Sequence, residues 1–511
     1  MPTLDDVRAV DKLCESEGTT LATSGCEGGK YSIPHSELRI ANCEFSLPHP
    51  HLKQSYPKLT LNRKRWSART SWMNPFFLGF VVIRVSLSGQ RTSSSLSLIS
   101  SIIRTMSDLF TSTSLHRRFV LWRPVLGLAA VQGAITICWV IYRLYLKDLL
   151  VEFNFPEEFA ATVLVIDILL GMVCEPIMGS ISDRTKQWLG TQFPIISIGA
   201  ILSSVLFIAI PSIVIFGNFT GVMRWILPGV TITWAFAMTI FRSPAIALLG
   251  QYASVSELPK AASALTLVGG LAIAVAPTAS GWLLGLGPAL TFGLGSIVLL
   301  AAVGVLRAVH PPSSQSPIAP SPPVSSSMGM AIVSGIFIFA TSLGVGFGFR
   351  FLFSTLAGAI ALQFSEASIS PMLLAFSVAA ALAALPLGRI SSRWETHRGL
   401  FVGLLITIVL LVAVGFVPRL IVLALLGLVF GFSFMTNGGV PFVLGSVPPQ
   451  RAGLAVGLYF GGFGAAFNLF GNIFGSLEDT ALGTIGLMGA LSFLAAAVCV
   501  ILSSRLLPKY G

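Results

Sequence analysis

The stretch Cys174–Gly190, CEPIMGSISDRTKQWLG, sets an acid at the end of an apolar run and a crowd of charges just beyond it. Before it lies ATVLVIDILLGMVC, residues 161–174, with a second acid, Asp167. A charged side chain near the middle of a bilayer costs about 2.5–3.5 kcal/mol on insertion scales. Such acids face a cavity or a partner, so Asp167 and Glu175 ask for a function.

The rest of the chain says that the solvent is lipid. Of 511 residues, 54% are hydrophobic and only 10% charged, and the mean hydropathy is +0.83. A soluble domain carries about 25% charged residues. The net charge of +11 fits Lys and Arg held in cytoplasmic loops rather than nucleic-acid binding, and no nucleic-acid partner is expected. The six cysteines, Cys14, Cys26, Cys43, Cys138, Cys174 and Cys499, show no CxxC spacing. Neither a disulfide framework nor a metal site is read from them.

Twelve apolar runs of spanning length follow the first hundred residues. They lie near 123–146, 159–180, 193–214, 222–248, 262–284, 288–308, 328–352, 369–388, 399–416, 419–444, 452–474 and 481–503. Residues 1–105 read differently: charges, prolines and a serine-rich patch around an apolar run, Pro75–Leu87, too short to span. They are expected to be a disordered tail or an upstream extension, with a plausible start at Met106. The stretch 311–327, PPSSQSPIAPSPPVSSS, is a Pro/Ser-rich linker. It divides the spans into bundles at 106–310 and 328–511. With both termini cytoplasmic, Arg117, Arg118, Arg184, Lys186, Arg389 and Arg393 fall inside and Glu157 and Glu158 outside.

The halves echo each other. GSISDR (Gly179–Arg184) follows the second span and GRISSR (Gly388–Arg393) the eighth. SPAIALLG (Ser243–Gly250) ends the fourth span and VPFVLG (Val440–Gly445) the tenth. An internal repeat of this kind is a common plan for secondary transporters.

Gly179, Asp183 and Arg184 resemble the signature loop of the major facilitator superfamily, a conformational element between its second and third helices. EPIMGSISDRTKQWLGTQFPIISIGA (Glu175–Ala200) and FRSPAIALL (Phe241–Leu249) look like the glycoside–pentoside–hexuronide cation symporters (melibiose permease-like) and are similar to sucrose–proton symporters. The resemblance implies an all-α integral membrane protein with the major facilitator fold, twelve helices in two pseudo-symmetric six-helix bundles. It places a coupling-cation ligand at Glu175. The family's second acid matches Gly171, and its helix 4 acid matches Arg242, so sodium binding is not carried over.

Asp167 and Glu175 are the only acids within the spans as read. They are the candidates for proton coupling, with Arg242 at similar depth as ion-pair partner or substrate ligand. Gln132, Thr136, Trp139 and Arg143 recur at helical spacing as one polar stripe. Trp139 suits stacking on a sugar ring. Trp234, Asn437 and the pair Asn468/Asn472 complete the candidate lining, against the plainer reading of the asparagines as helix–helix hydrogen bonds. Tyr459–Gly464, YFGGFG, reads as close packing and not as a phosphate loop. The function these features imply is secondary transport of a small polar solute, a sugar or glycoside first, with proton symport. The alternatives are an apolar cargo such as a pigment or lipid, or a non-transporting assembly factor. No enzyme activity, cofactor or metal is expected. The partners are the solute, protons and the bilayer, and the chain is expected to act as a monomer in the plasma (inner) membrane.

Overall fold

The structure, a computed structural model, describes residues 21–24, 80–83, 119–217, 221–311, 328–474, 477 and 480–506. Residues 1–114 and 115–511 form separate compact units. In the first, β1 (Leu21–Ser24) pairs antiparallel with β2 (Phe80–Ile83), Leu21 opposite Ile83. β2 comes from the apolar run too short to span. The rest of the expected tail, the start at Met106, linker residues 312–327 and the charges Arg117 and Arg118 lie outside the described residues.

The second unit is helical. Its first four long helices are α1 (Trp122–Glu152), α2 (Glu158–Leu189), α3 (Phe193–Phe216) and α4 (Ile226–Ala247). The helix Leu258–Val309 breaks at Gly287, whose φ of 76° is open to glycine, into α5 (258–286) and α6 (288–309). Then come α7 (Met328–Gln363), α8 (Ile369–Ser391) and α9 (Thr396–Phe416). α10 (Ile421–Gly445), α11 (Ala452–Phe474) and α12 (Leu482–Leu506) complete the unit. Among the described residues twelve segments are long and apolar enough to cross a bilayer, and the protein is an integral membrane protein.

Two features depart from the sequence reading. The motif Gly179–Arg184 is not a loop: it lies within the last turns of α2. Charge ends an apolar run but does not end a helix. α2 stops at Gly190, in the left-handed conformation at φ 73°, whose N–H bonds back to Lys186. Likewise α7 runs to Gln363, past the expected end at 352, because FLFSTLAGAIAL (351–362) stays apolar.

The two halves repeat one packing scheme. α1 packs on α5 and α6, α3 on α4 and α6; α7 packs on α11 and α12, α9 on α10 and α12. Interior prolines recur at matching places, Pro176 in α2 and Pro386 in α8, Pro244 in α4 and Pro441 in α10. Each lacks an N–H and frees a carbonyl one turn back. Two seams join the halves, α2 against α11 and α5 against α8. The first runs on glycine. A Cβ at Gly453 would meet Gly179 O, one at Gly457 would meet Glu175 O, and one at Gly461 would come within 2.8 Å of Met172 O. These three, four residues apart, let backbone meet backbone, as small residues do between membrane helices. The second seam is looser in chemistry: Gly388 faces Ser263 and Gly270 faces Ala381.

His310 closes α6. Its Nδ1 lies 2.8 Å from the Tyr252 hydroxyl and its ring packs on Phe193. Burial first, and the Lys186 charge second, push its pKa below the ordinary 6.5.

Two predictions follow from this packing. Gly457→Leu should abolish recovery of folded protein from detergent, whereas Gly304→Ala, with nothing within 4 Å of the added carbon, should melt within a degree or two of wild type. His310 is neutral in the fold, so its contribution is present above its ordinary 6.5 and lost as pH falls through the lower folded value. Melting temperature should therefore drop on acidification below that point, and His310→Gln should flatten this part of the profile.

Candidate functional site

Glu175 sits one residue before Pro176, on the turn of α2 that α11 touches. Its side chain is 4% exposed. Arg242, on α4, donates from Nη1 to Glu175 Oε1 at 2.9 Å, and the Ser243 hydroxyl donates to Oε2 at 3.2 Å. The guanidinium lies 4.2 Å from the ring centre of Phe460 on α11. Three helices from both halves therefore meet at one ion pair. Arg242 is less enclosed, at 28% exposed, and its Nε has no partner.

Asp167, two turns along α2, is 4% exposed. Its Oδ2 accepts from the Tyr142 hydroxyl on α1 at 2.7 Å, and its Oδ1 has no partner. Tyr142 belongs to an aromatic cluster with Trp139, Trp234 and Phe207. Trp234 is fully buried there with its indole N–H unpaired, so it packs inside the bundle and lines no open surface. Trp139 is half-buried and carries Arg143 over its ring at 5.8 Å. Gln132, half-buried, lies against Gly269 of α5 with Oε1 unpaired.

The asparagines fasten helices. Asn437, wholly buried, donates to Ala384 O of α8 at 2.7 Å. Asn468 on α11 donates to Val165 O of α2 at 3.2 Å, across the seam. The side chain of Asn472 lies outside the described residues.

At the end of the seam, Asp183 accepts from the backbone N–H of Gly453 and of Leu454, each at 2.9 Å. Those groups are orphans of the first turn of α11, where a carboxylate is favoured. A side chain of one half thus caps a helix of the other. Gly179 supplies the approach, and Arg184 is exposed. The second seam has Ser392 where the repeat puts Asp183, and its hydroxyl bonds only within its own turn.

No protein-family profile matches the chain, and no curated protein matches it by sequence. Solved structures do. A bacterial homologue of the iron transporter ferroportin, in an outward-facing state, aligns with a TM-score of 0.60. The match covers 75% of this chain and 100% of that one at 15% identity. The human organic anion transporter MFSD10 (TETRAN) aligns with a TM-score of 0.53 over 74% of this chain and 99% of its own, at 13% identity. The chain has the major facilitator fold. At these identities the likeness concerns architecture. It agrees with the fold that the sequence resemblance implies; the narrower likeness to sugar symporters rests on Glu175–Ala200 and Phe241–Leu249 alone. Among the described residues no three His, Cys, Asp or Glu side chains are grouped to hold a metal ion.

Sequence reading missed six residues that take part. Phe460 and Tyr142 gave no signal, because an aromatic in an apolar helix is ordinary. The Gly453–Gly457–Gly461 spacing was legible as a small-residue stripe. Arg350 escaped because the seventh span was closed two residues beyond it.

The ion pair is asymmetric, and so are its mutants. Arg242→Gln leaves the enclosed Glu175 charge without its cation, and removing one partner of a buried pair costs about 3–5 kcal/mol. The variant should lose thermal stability heavily in detergent melts. Adding Glu175→Gln should restore most of it. Glu175→Gln alone strands the more open Arg242, still stacked on Phe460, and should cost clearly less.

Proposed function

We propose that the protein is a secondary carrier that moves a small polar solute by alternating access, with proton coupling through Glu175 or Asp167. The observation that supports this reading most is the Glu175–Arg242 pair beneath Phe460. A titratable acid is held by an arginine, and both meet the opposite half at the seam where the halves must slide. When α11 moves, Phe460 leaves the guanidinium and water reaches the pair. Protonation of Glu175 then releases Arg242, and deprotonation on the other face re-forms the bond. Asp167, with one free carboxylate oxygen, is the second acid available for this exchange.

The resemblance of Glu175–Ala200 to sugar symporters, and the half-buried Trp139 indole, support a sugar-like cargo. The charge distribution of the loops supports cytoplasmic termini. Asp183 on the α11 N-terminus closes the cytoplasmic end in that orientation and would be broken when the cavity turns inward.

Reconstitution in proteoliposomes tests the reading with Glu175→Gln, which keeps the shape of the protonated acid. It should lose proton-driven accumulation and keep counterflow exchange, because exchange does not require the proton to leave. A stable Glu175→Gln variant that still concentrates solute would move the coupling role to Asp167 or leave a uniporter. Absence of uptake by the wild-type protein over a panel of polar solutes would favour an apolar cargo or an assembly role.

A further inference from the structure

Two arginines of the membrane-spanning helices take no part in the pairs described so far. Arg143 lies on α1 and Arg350 on α7, the first helix of each half. Among the described residues neither guanidinium reaches a carboxylate. Arg143 stacks on Trp139 at 5.8 Å, and Arg350 on Phe470 at 4.8 Å and Phe467 at 5.6 Å. Both side chains are exposed in the isolated chain.

Their neighbours fix where they point. On α1, Tyr142 turns to Asp167 of α2, and Gln132, on the same face as Arg143, lies against Gly269 of α5. Arg143 therefore projects between α2 and α5. On α7, Gly346 faces Ala466 of α11 and Phe353 packs towards Phe376 of α8. Arg350 therefore projects between α11 and α8. Those four helices carry the two seams, so both arginines face the space between the halves. They stand at one level: Phe467 and Phe470 flank Asn468, which bonds to Val165 O, two residues from Asp167. Arg143 is six residues, about 9 Å, from the middle of α1, and Arg350 about 7 Å from the middle of α7. With each helix centred on the bilayer, both would fall within the roughly 15 Å half-thickness of the hydrocarbon layer.

We infer that Arg143 and Arg350 form a two-armed clamp for a small organic anion, so that the transported solute carries a carboxylate. The inference rests on the carrier reading and names the class of its cargo. Three arginines face this space against two acids. Glu175 is taken by Arg242, and Asp167 is bound to Tyr142 and opposes Arg143 alone. The balance is one positive charge even with both acids ionised. A fixed cation inside a membrane is costly unless something neutralises it, and a guanidinium fork matches a carboxylate with two parallel hydrogen bonds. Because one arm belongs to each half, a bound dicarboxylate or hydroxy-acid would draw the halves together.

The test compares anions with neutral analogues of the same shape on the purified full chain. Melting temperature is measured with succinate against succinamide and gluconate against glucose, at matched ionic strength. A carboxylate should raise it where its neutral partner does not. Arg143→Gln and Arg350→Gln should each weaken the apparent affinity at least tenfold, while the loop variant Arg419→Gln leaves it unchanged. Should a Gln variant fail to fold, Arg143→Lys and Arg350→Lys keep the charge without the fork and should still bind several-fold more weakly than wild type. The clamp is refuted if neither carboxylate stabilises the protein, if the neutral analogues do so equally, or if stabilisation is unaltered in the variants of both arginines. Uptake separates the two ideas: glucose entering proteoliposomes when gluconate and succinate do not sinks the anion and keeps the carrier. A carboxylate that binds through both arginines yet never crosses sinks the carrier and keeps the site.

Discussion

The structure hangs on the backbone contact between α2 and α11. Lipid offers no hydrophobic reward for bringing two apolar helices together, so helix association depends on close packing and polar contacts. Gly453, Gly457 and Gly461 leave no Cβ at three successive turns of α11, and the carbonyls of Gly179, Glu175 and Met172 occupy the space. Three consequences follow from that proximity. Asp183 reaches the first turn of α11. Phe460 reaches the guanidinium of Arg242. Asn468 reaches the carbonyl of Val165. Each polar group of the α2–α11 seam is placed by glycine before it is placed by charge.

The two seams are equivalent in the repeat and unequal in chemistry. The carboxylate of Asp183 satisfies two N–H groups and a helix N-terminus at once, whereas Ser392 in the other half spends its hydroxyl on Arg389 O. Glu175 and Arg242 likewise have no charged counterpart: Leu385 stands before Pro386 as Glu175 stands before Pro176, Gly439 stands two residues before Pro441 as Arg242 stands before Pro244, and Asn437 in α10 holds α8 through a neutral bond. Among the described residues, a pseudo-symmetric frame thus carries the buried Glu175–Arg242 pair on one side only, and the α5–α8 seam has no matching ion pair.

The architecture was legible in the sequence because bilayer thickness imposes it. Twelve runs of spanning length and the echo of Gly179 at Gly388 need no knowledge of contacts. The Glu175–Arg242 pair was legible too, since two opposite charges at equal depth in neighbouring spans have few other places to go. Residue roles were harder. Trp234 looks like cavity lining by periodicity, yet the cluster of Phe207, Tyr142 and Trp139 closes over it. Asn437 is open by sequence between solute ligand and helix–helix bond, and its amide donates to Ala384 O. A sequence shows which residues share a helix face, and only the neighbouring helix decides whether that face meets protein or water.

Arg350 shows the cost of closing a span soon after its first charge. Hydropathy treats an arginine near the end of an apolar run as an interface residue that snorkels to water. Here the helix continues thirteen residues further, to Gln363, so the same side chain lies well inside. Its place along α7 turns an unremarkable terminal arginine into an unneutralised cation, and the aromatic faces of Phe467 and Phe470 only partly shield it. The matching case of Arg143, nine residues short of the end of α1, makes accident a poor account. Asp167 opposes Arg143 without reaching it as an ion pair, and no acid opposes Arg350 among the described residues. With three arginines against two acids, one positive charge is left over, and the sign of what would balance it is negative.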